Sequence, residues 1–209
     1  MLLPSLCSVC REQAAVCPLS VCPACENDLM RAKVPAEISS GAVRGIFSCR
    51  YYTGTARECV RRLKYYRESG MMLIFDRIMK RSAPDGFLAG APMDLVVPVP
   101  IHPRRLRRRG FNQSDMIAAK IASLADIPVS RGCLIKIKDT PPQTRLTRGQ
   151  RLRNLKGSFG VADPAAVKNK TILLVDDVMT TGATLNTCAS ELLDSGAKAV
   201  YAFTLTRTP

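Results

Sequence analysis

The sequence lacks tryptophan altogether and only 5% of its 209 residues are aromatic, so platforms on which nucleobases could stack are scarce. No run approaches the roughly 18–20 consecutive apolar residues of a membrane span. Met1-Leu2-Leu3-Pro4 runs into Cys7 without the apolar core of a secretion signal. The expectation is a soluble, cytoplasmic protein with no membrane insertion. Histidine occurs once, at His102; it suits a capping or structural role equally and is not assigned the role of a base. Acids are also few, with 17 Asp and Glu against 31 Lys and Arg, leaving a formal net charge of +14. A hydrophobic content of 46% suffices for one sizeable core plus a small appendage.

What is present is organised around Thr171–Leu185, T-I-L-L-V-D-D-V-M-T-T-G-A-T-L. Ile172–Val175 has the length and composition of a buried strand. Asp176 and Asp177 follow, then the turn Thr180-Thr181-Gly182-Ala183-Thr184. A helical pattern runs through Leu185, Cys188, Ala189, Leu192 and Leu193 and stops at Ser195-Gly196. A further strand at Ala199–Leu205 completes a β–turn–α–β unit, which predicts a parallel sheet with its ligand at the strand ends. The start of a helix offers unpaired N–H groups and a positive dipole end, suited to a phosphate monoester. Adjacent carboxylates repel a phosphate and suit instead vicinal hydroxyls, as on a ribose, or a divalent cation beside them. The plainer alternative is a strand end with an N-capping Thr and a solvated Asp pair.

Residues 1–30 hold five of the nine cysteines, including the knuckles Cys7-x-x-Cys10 and Cys22-x-x-Cys25. Two such pairs complete a tetrahedral all-sulfur site, and metal binding would supply the folding free energy of so short a segment. Disulfides are disfavoured in a cytosolic chain, and a redox C-x-x-C would want a thioredoxin-like surround. The spacing favours a structural zinc ribbon, with Cys17 as an alternative ligand or a plain thiol. Cys49, Cys59, Cys133 and Cys188 fall in apolar patterns and read as core.

Residues 31–44 read as a linker, and residues 45–209 as the main domain. Gly45–Tyr52 alternates like a strand. Ala56–Tyr66 reads as a helix with Val60 and Leu63 on one side and basic residues elsewhere. A second helix covers about Met71 to Arg81. Leu63-Lys64-Tyr65 is a candidate ligand contact, though a basic amphipathic helix is usually a solvated face. Met93–Pro100 is a second buried strand, ended by prolines. After it comes the arginine run Arg104-Arg105-Leu106-Arg107-Arg108-Arg109, then a helix at Ser114–Ala125. Guanidinium groups give phosphate oxygens bidentate donors, so the run suits pyrophosphate; a solvated basic loop or a generic nucleic-acid patch is the alternative. Thr140–Phe159 is polar, basic and starts with two prolines, as a mobile lid would be. Residues 102–157 contain 14 Lys and Arg against 3 Asp, so +11 of the net +14 is concentrated there, the mark of a polyanion site.

V-D-D-V-M-T-T-G-A-T-L resembles the phosphoribosyl pyrophosphate (PRPP) signature of type I phosphoribosyltransferases. With V-P-V-P-I-H-P-R-R-L-R-R-R-G-F-N-Q-S, T-P-P-Q-T-R-L-T-R-G-Q-R-L-R-N-L-K-G-S-F and the cysteine knuckles, the chain is identified as a member of the ComF, or competence protein F, family. The resemblance implies an α/β type I phosphoribosyltransferase fold, a Rossmann-like parallel sheet flanked by helices, behind a zinc-ribbon module. It implies that Asp176 and Asp177 hold the ribose hydroxyls and that Thr180, Thr181, Gly182, Ala183 and Thr184 cradle the 5-phosphate. The loop after Val99-Pro100 would bind pyrophosphate and the segment before the signature would be the flexible catalytic loop. Arg104, Arg105 and Arg109 from the first, with Arg145, Arg148 and Lys156 from the second, are the expected leaving-group contacts. Mg2+ is expected with PRPP, and structural Zn2+ on Cys7, Cys10, Cys22 and Cys25. Many purine-salvage members carry Asp where this chain has Thr180, which makes purine-base salvage a poorer fit.

The family also implies a link to DNA uptake and natural transformation. A rival reading follows: a module that binds single-stranded DNA by phosphate neutralisation, in which the PRPP site is a sensor or vestigial. The acceptor and the oligomeric state are not legible in the motifs.

Overall fold

The computed structural model describes residues 6–12, 21–31, 34, 37–65, 71–82, 92–140 and 155–209. After α1 (Pro23–Arg31) come strands β1 (Glu37–Ser40) and β2 (Val43–Tyr51), helices α2 (Gly54–Tyr65) and α3 (Met71–Ser82), and strand β3 (Leu95–Pro98). Helices α4 (Pro103–Arg109) and α5 (Gln113–Ala125) precede the short strands β4 (Leu134–Lys136) and β5 (Phe159–Val161). A single turn, α6 (Pro164–Val167), leads to β6 (Thr171–Met179), α7 (Ala183–Asp194) and β7 (Ala199–Arg207).

The main sheet has the order β1-β2-β7-β6-β3, with β2, β7, β6 and β3 parallel and β1 antiparallel on the edge. Parallel strands are covered on both faces, which is why their sequences read as unbroken apolar runs. Period-two alternation divides β6 between two cores. Leu173 and Val175 pack with α2, α3 and α5 residues such as Leu63, Phe75 and Ile117. Ile172 and Leu174 face Leu185, Cys188 and Leu192 of α7 and Phe159 of β5. All four β6 residues are fully buried, each contributing roughly 1.5–3 kcal/mol by leaving water.

The architecture is the expected one, a parallel α/β sheet flanked by helices, with three local differences. First, β6 continues past Val175 to Met179, because β7 continues beside it and pairs Thr204 with Asp176 and Thr206 with Val178. The acid pair therefore lies on the last rungs of a strand and not in a loop. Second, residues 37–40, inside the stretch read as a linker, add the antiparallel edge strand. Third, the arginine run is a helix. His102 caps it, its Nδ1 accepting from the Arg104 N–H at 3.3 Å, with Pro103 at the first turn and Gly110 closing it at φ 86°. The predicted stop at Ser195-Gly196 stands, with Ser195 as cap and Gly196 at φ 96°. The cysteine module does not stand apart: Cys7, Cys22, Cys25 and Leu29 share one core with Phe47, Cys59 and Val60.

Candidate functional site

At the carboxyl end of β6 the two acids have different surroundings. Extended backbone sends consecutive side chains to opposite faces. Asp177, 7% exposed, turns toward α2, where its Oδ2 lies 2.8 Å from Lys64 Nζ. Asp176 is half-buried; its Oδ1 accepts from Ser114 Oγ at 3.0 Å and from the Asp177 N–H at 2.9 Å. Burial, with the neighbouring Asp177 charge, pushes Asp176 up to about 7, against the opposing pull of Lys64 and the hydrogen bonds. At Lys64 the balance runs the other way. Burial alone would lower its pKa, but Asp177 and then Asp176 outweigh it and raise it. The arrangement holds one ion pair and one carboxyl that titrates near neutrality.

Beyond Met179 the chain turns through Thr180 and Thr181 into Gly182, which takes φ 73° and makes no side-chain cap to α7. A residue with a Cβ is strained at that angle. The twelve-residue helix therefore starts at the strand end without a capping side chain on its N-cap residue. The Thr181 hydroxyl is buried and has no hydrogen-bond partner among the described residues. Asn186 braces the turn from behind, donating to the Gly182 carbonyl at 3.2 Å and accepting from the Ala42 N–H at 3.0 Å. Amides, an orphan hydroxyl and a positive dipole end can hold a phosphate monoester, and the carboxyl beside them can accept from sugar hydroxyls.

The arginines of α4 divide. Arg104 is exposed. Arg105 reaches across to the Thr140 carbonyl and, at 3.4 Å, to Asp139. Arg109 donates to Gln113 Oε1 at 2.6 Å, and Gln113 precedes the serine that holds Asp176. Arg109 is thus linked to Asp176 through the start of α5. Arg145 and Arg148 lie outside the described residues. Lys156 is exposed, and its carbonyl accepts from Lys138 Nζ at 3.1 Å. Of the stretch Thr140–Phe159 read as a lid, residues 141–154 lie outside the described residues; β4 and β5, on either side of residues 137–158, pair as a two-stranded stem. A cavity of about 180 Å³ lies between Pro98, Pro100, Leu106, Asp115 and Lys136, with neither acid nor the Thr180–Thr184 turn in its lining.

Lys64 stands in the stretch Leu63-Lys64-Tyr65 singled out as a candidate ligand contact, four residues after the buried Val60 on the border of the buried stripe. Two further contributors, Ser114 and Lys136, were not assigned from sequence. Ser114 had no signal beyond opening a helix. Lys136 sits in the stem; burial first, then the nearby Arg105, lowers its pKa, while Asp176 pulls the other way.

The four knuckle cysteines form a second centre. Their sulfurs all lie within 4.8 Å of one another. The Cys10–Cys22 separation of 3.7 Å matches the roughly 3.8 Å edge of a tetrahedron built on metal–sulfur bonds of about 2.3 Å. Cys7 Sγ accepts N–H bonds from Cys22 at 3.3 Å and Val9 at 3.4 Å. Burial opposes ionisation of this thiol, but these backbone donors hold it at about 6. The donor set fits a zinc ion. Cys17 lies outside the described residues. Cys49, Cys59, Cys133 and Cys188 are buried, as expected of core thiols. Among the described residues no helix is long and apolar enough to cross a membrane.

Residues 109–209 match the phosphoribosyl transferase domain family. Over 97% of its length the chain is 30% identical to the DNA utilization protein YhgH of Salmonella typhimurium, covering 90% of that protein. It is 34% identical to competence protein F of Haemophilus influenzae over 54% of this chain and 50% of that one. It is 25% identical to competence protein ComFC of Bacillus subtilis over 97% of this chain and 84% of that one.

Proposed function

The chain belongs to the ComF family, within the phosphoribosyltransferase superfamily, and on that premise we propose that it binds PRPP with Mg2+ and transfers the phosphoribosyl group to an acceptor. The observation that carries this reading is the uncapped start of α7, with a buried Thr181 hydroxyl that finds no partner among the described residues, directly beyond the acid pair at the end of β6. The 5-phosphate lies on the amides of Ala183 and Thr184 and on the threonine hydroxyls. Ionised Asp176 accepts from the ribose hydroxyls, and Asp177 orients its neighbour through the shared backbone bond. The bond from the anomeric carbon to pyrophosphate breaks with its electron pair leaving on the pyrophosphate. A bond to the acceptor nucleophile forms, and the acceptor's proton goes to solvent or to a nearby base. Mg2+ supplies charge neutralisation on the leaving group. Positive charge grows on the sugar meanwhile, and Arg105, Arg109 and the lid cations stabilise the departing anion. Four thiolates of the N-terminal module hold structural Zn2+.

Calorimetry with PRPP·Mg2+ tests the site. Asp176→Asn with Asp177→Asn is expected to abolish binding, and an unchanged affinity overturns the assignment. Release of pyrophosphate with pooled bases, amines and oligonucleotides then finds the acceptor. The second reading, binding of single-stranded DNA and service to DNA uptake as the names of the relatives suggest, is favoured by one observation: Arg104, Arg107 and Arg108 are exposed together on α4. Thermal stabilisation by PRPP·Mg2+ supports transfer; a steep salt dependence of oligonucleotide binding without it supports the second.

A further inference from the structure

Lys64 comes from a helix far from the signature in sequence, yet it lies against the acid pair. Its ammonium is 2.8 Å from Asp177 Oδ2, with the two side chains only 22% and 10% exposed. A half-enclosed pair of this kind is screened far less than a surface one. The other charged or titratable groups acting on it are Asp176 on the same strand and Tyr52, one residue past β2; Thr206 of β7 holds the backbone there, its hydroxyl donating to the Asp177 carbonyl at 3.3 Å. Two adjacent carboxylates at a strand end repel each other, and a third anion, the phosphate, is expected within reach. Without a cation there, each would raise the cost of ionising the others.

We infer that Lys64 is a positioning residue of the sugar-phosphate site, which fixes Asp177 against α2 and thereby leaves Asp176 as the carboxyl offered to the ribose. The inference rests on the proposed PRPP site, which it deepens. Lys64 touches no part of the ligand; it acts through Asp177 and, over a longer distance, through the charge it presents to Asp176. The division of labour explains why strand alternation, which points the acids apart, does not waste one of them. It also explains a lysine whose ion pair leaves its own helix for β6, whereas Arg61 and Arg62 pair with Glu58 of the same helix.

The test uses the full chain with Lys64→Met and Lys64→Arg and two readouts. The first needs no ligand: the carboxyl carbon of Asp176 is followed by NMR as pH is raised through about 7. Lys64→Met is expected to move its midpoint upward, and Lys64→Arg to restore it. The second is PRPP·Mg2+ affinity by calorimetry, expected to fall roughly 10- to 100-fold in Lys64→Met, the range for losing a charge-assisted contact, and to recover in Lys64→Arg. An unmoved Asp176 midpoint in Lys64→Met overturns the inference, as does an unmoved affinity. If the wild-type protein does not bind PRPP while the midpoint shifts as expected, the transferase reading fails and the charge coupling stands. Should Lys64→Met not fold, Lys64→Gln carries the same comparison.

Discussion

From Thr171 onward, strand, acids, phosphate turn and helix follow one another along a continuous stretch of chain, whereas residues before Ser82 reach the same place only through folding. In the first region each element sets up the next: β6 ends where β7 stops pairing with it, and α7 starts where Gly182 allows the turn. In the second, α1 of the cysteine module caps α2 from outside, Asp28 Oδ2 accepting the Thr55 N–H at 2.7 Å, and α2 carries Lys64 to Asp177. Gly54 sits at φ 47° with Asp28 so close that a Cβ would stand 2.5 Å from its Oδ2. The buried Arg50 adds a tie, donating to the Leu29 carbonyl. The difference teaches that a strand-turn-helix motif can be written locally while the cation that pairs with one of its acids is supplied by a distant part.

The strongest way to break this comparison is to dismantle the four-thiol centre. Cys7→Ser with Cys22→Ser is expected to abolish zinc content and remove roughly 10 kcal/mol of metal-binding free energy, unfolding the module. Hydrogen exchange should then rise steeply in α1 and α2 and least in Ile172–Val175. Equal collapse of both regions would mean that they are one cooperative unit.

A pH scan is the next largest effect. Asp176 sits at about 7 in the folded chain against roughly 4 when unfolded. Between those values the folded protein holds a proton that the unfolded chain has released. Stability is therefore expected to fall as pH rises from about 4 to about 7, by on the order of 2–4 kcal/mol from this group. Thermal unfolding of Asp176→Asn should show that slope flattened; an identical slope would place the perturbation elsewhere. Affinity for PRPP·Mg2+ should move oppositely, rising through about 7 as Asp176 ionises.

The smallest effect sharpens the link between the regions. Asp28→Ala is expected to cost about 1 kcal/mol, the usual loss for a helix cap, and to weaken PRPP binding slightly by loosening the helix that carries Lys64. Asp28 is held below the usual carboxylate range by the Thr55 hydrogen bonds. Urea unfolding measures the first consequence and calorimetry the second. A stability loss with no change in affinity would show that α2 is held well enough by its buried Cys59, Val60 and Leu63.

The turn Thr180–Thr184 and the acid pair before it were legible because their placement depends on neighbours in sequence: an apolar run makes the strand, glycine allows the turn, and a helix start presents its own amides. The cysteine centre was legible for the same reason, two tight knuckles. The helical form of 103–109 was not legible, since its cap is a histidine and its charges are alike; the Arg105 bonds to Asp139 and Thr140 that help hold it are tertiary. Nor could alternation on an extended β6 be read while the strand was taken to end at Val175.

Sequence alone determined the parallel α/β architecture, the glycine turn into α7 and the four-thiol centre, because strand hydrophobicity, glycine and paired cysteines act over a few residues. Only the tertiary structure decided that the two acids part, that Lys64 takes Asp177, and that Ser114 holds Asp176. Those choices depend on which side chains the cores bring together, and distance through space is not written in distance along the chain.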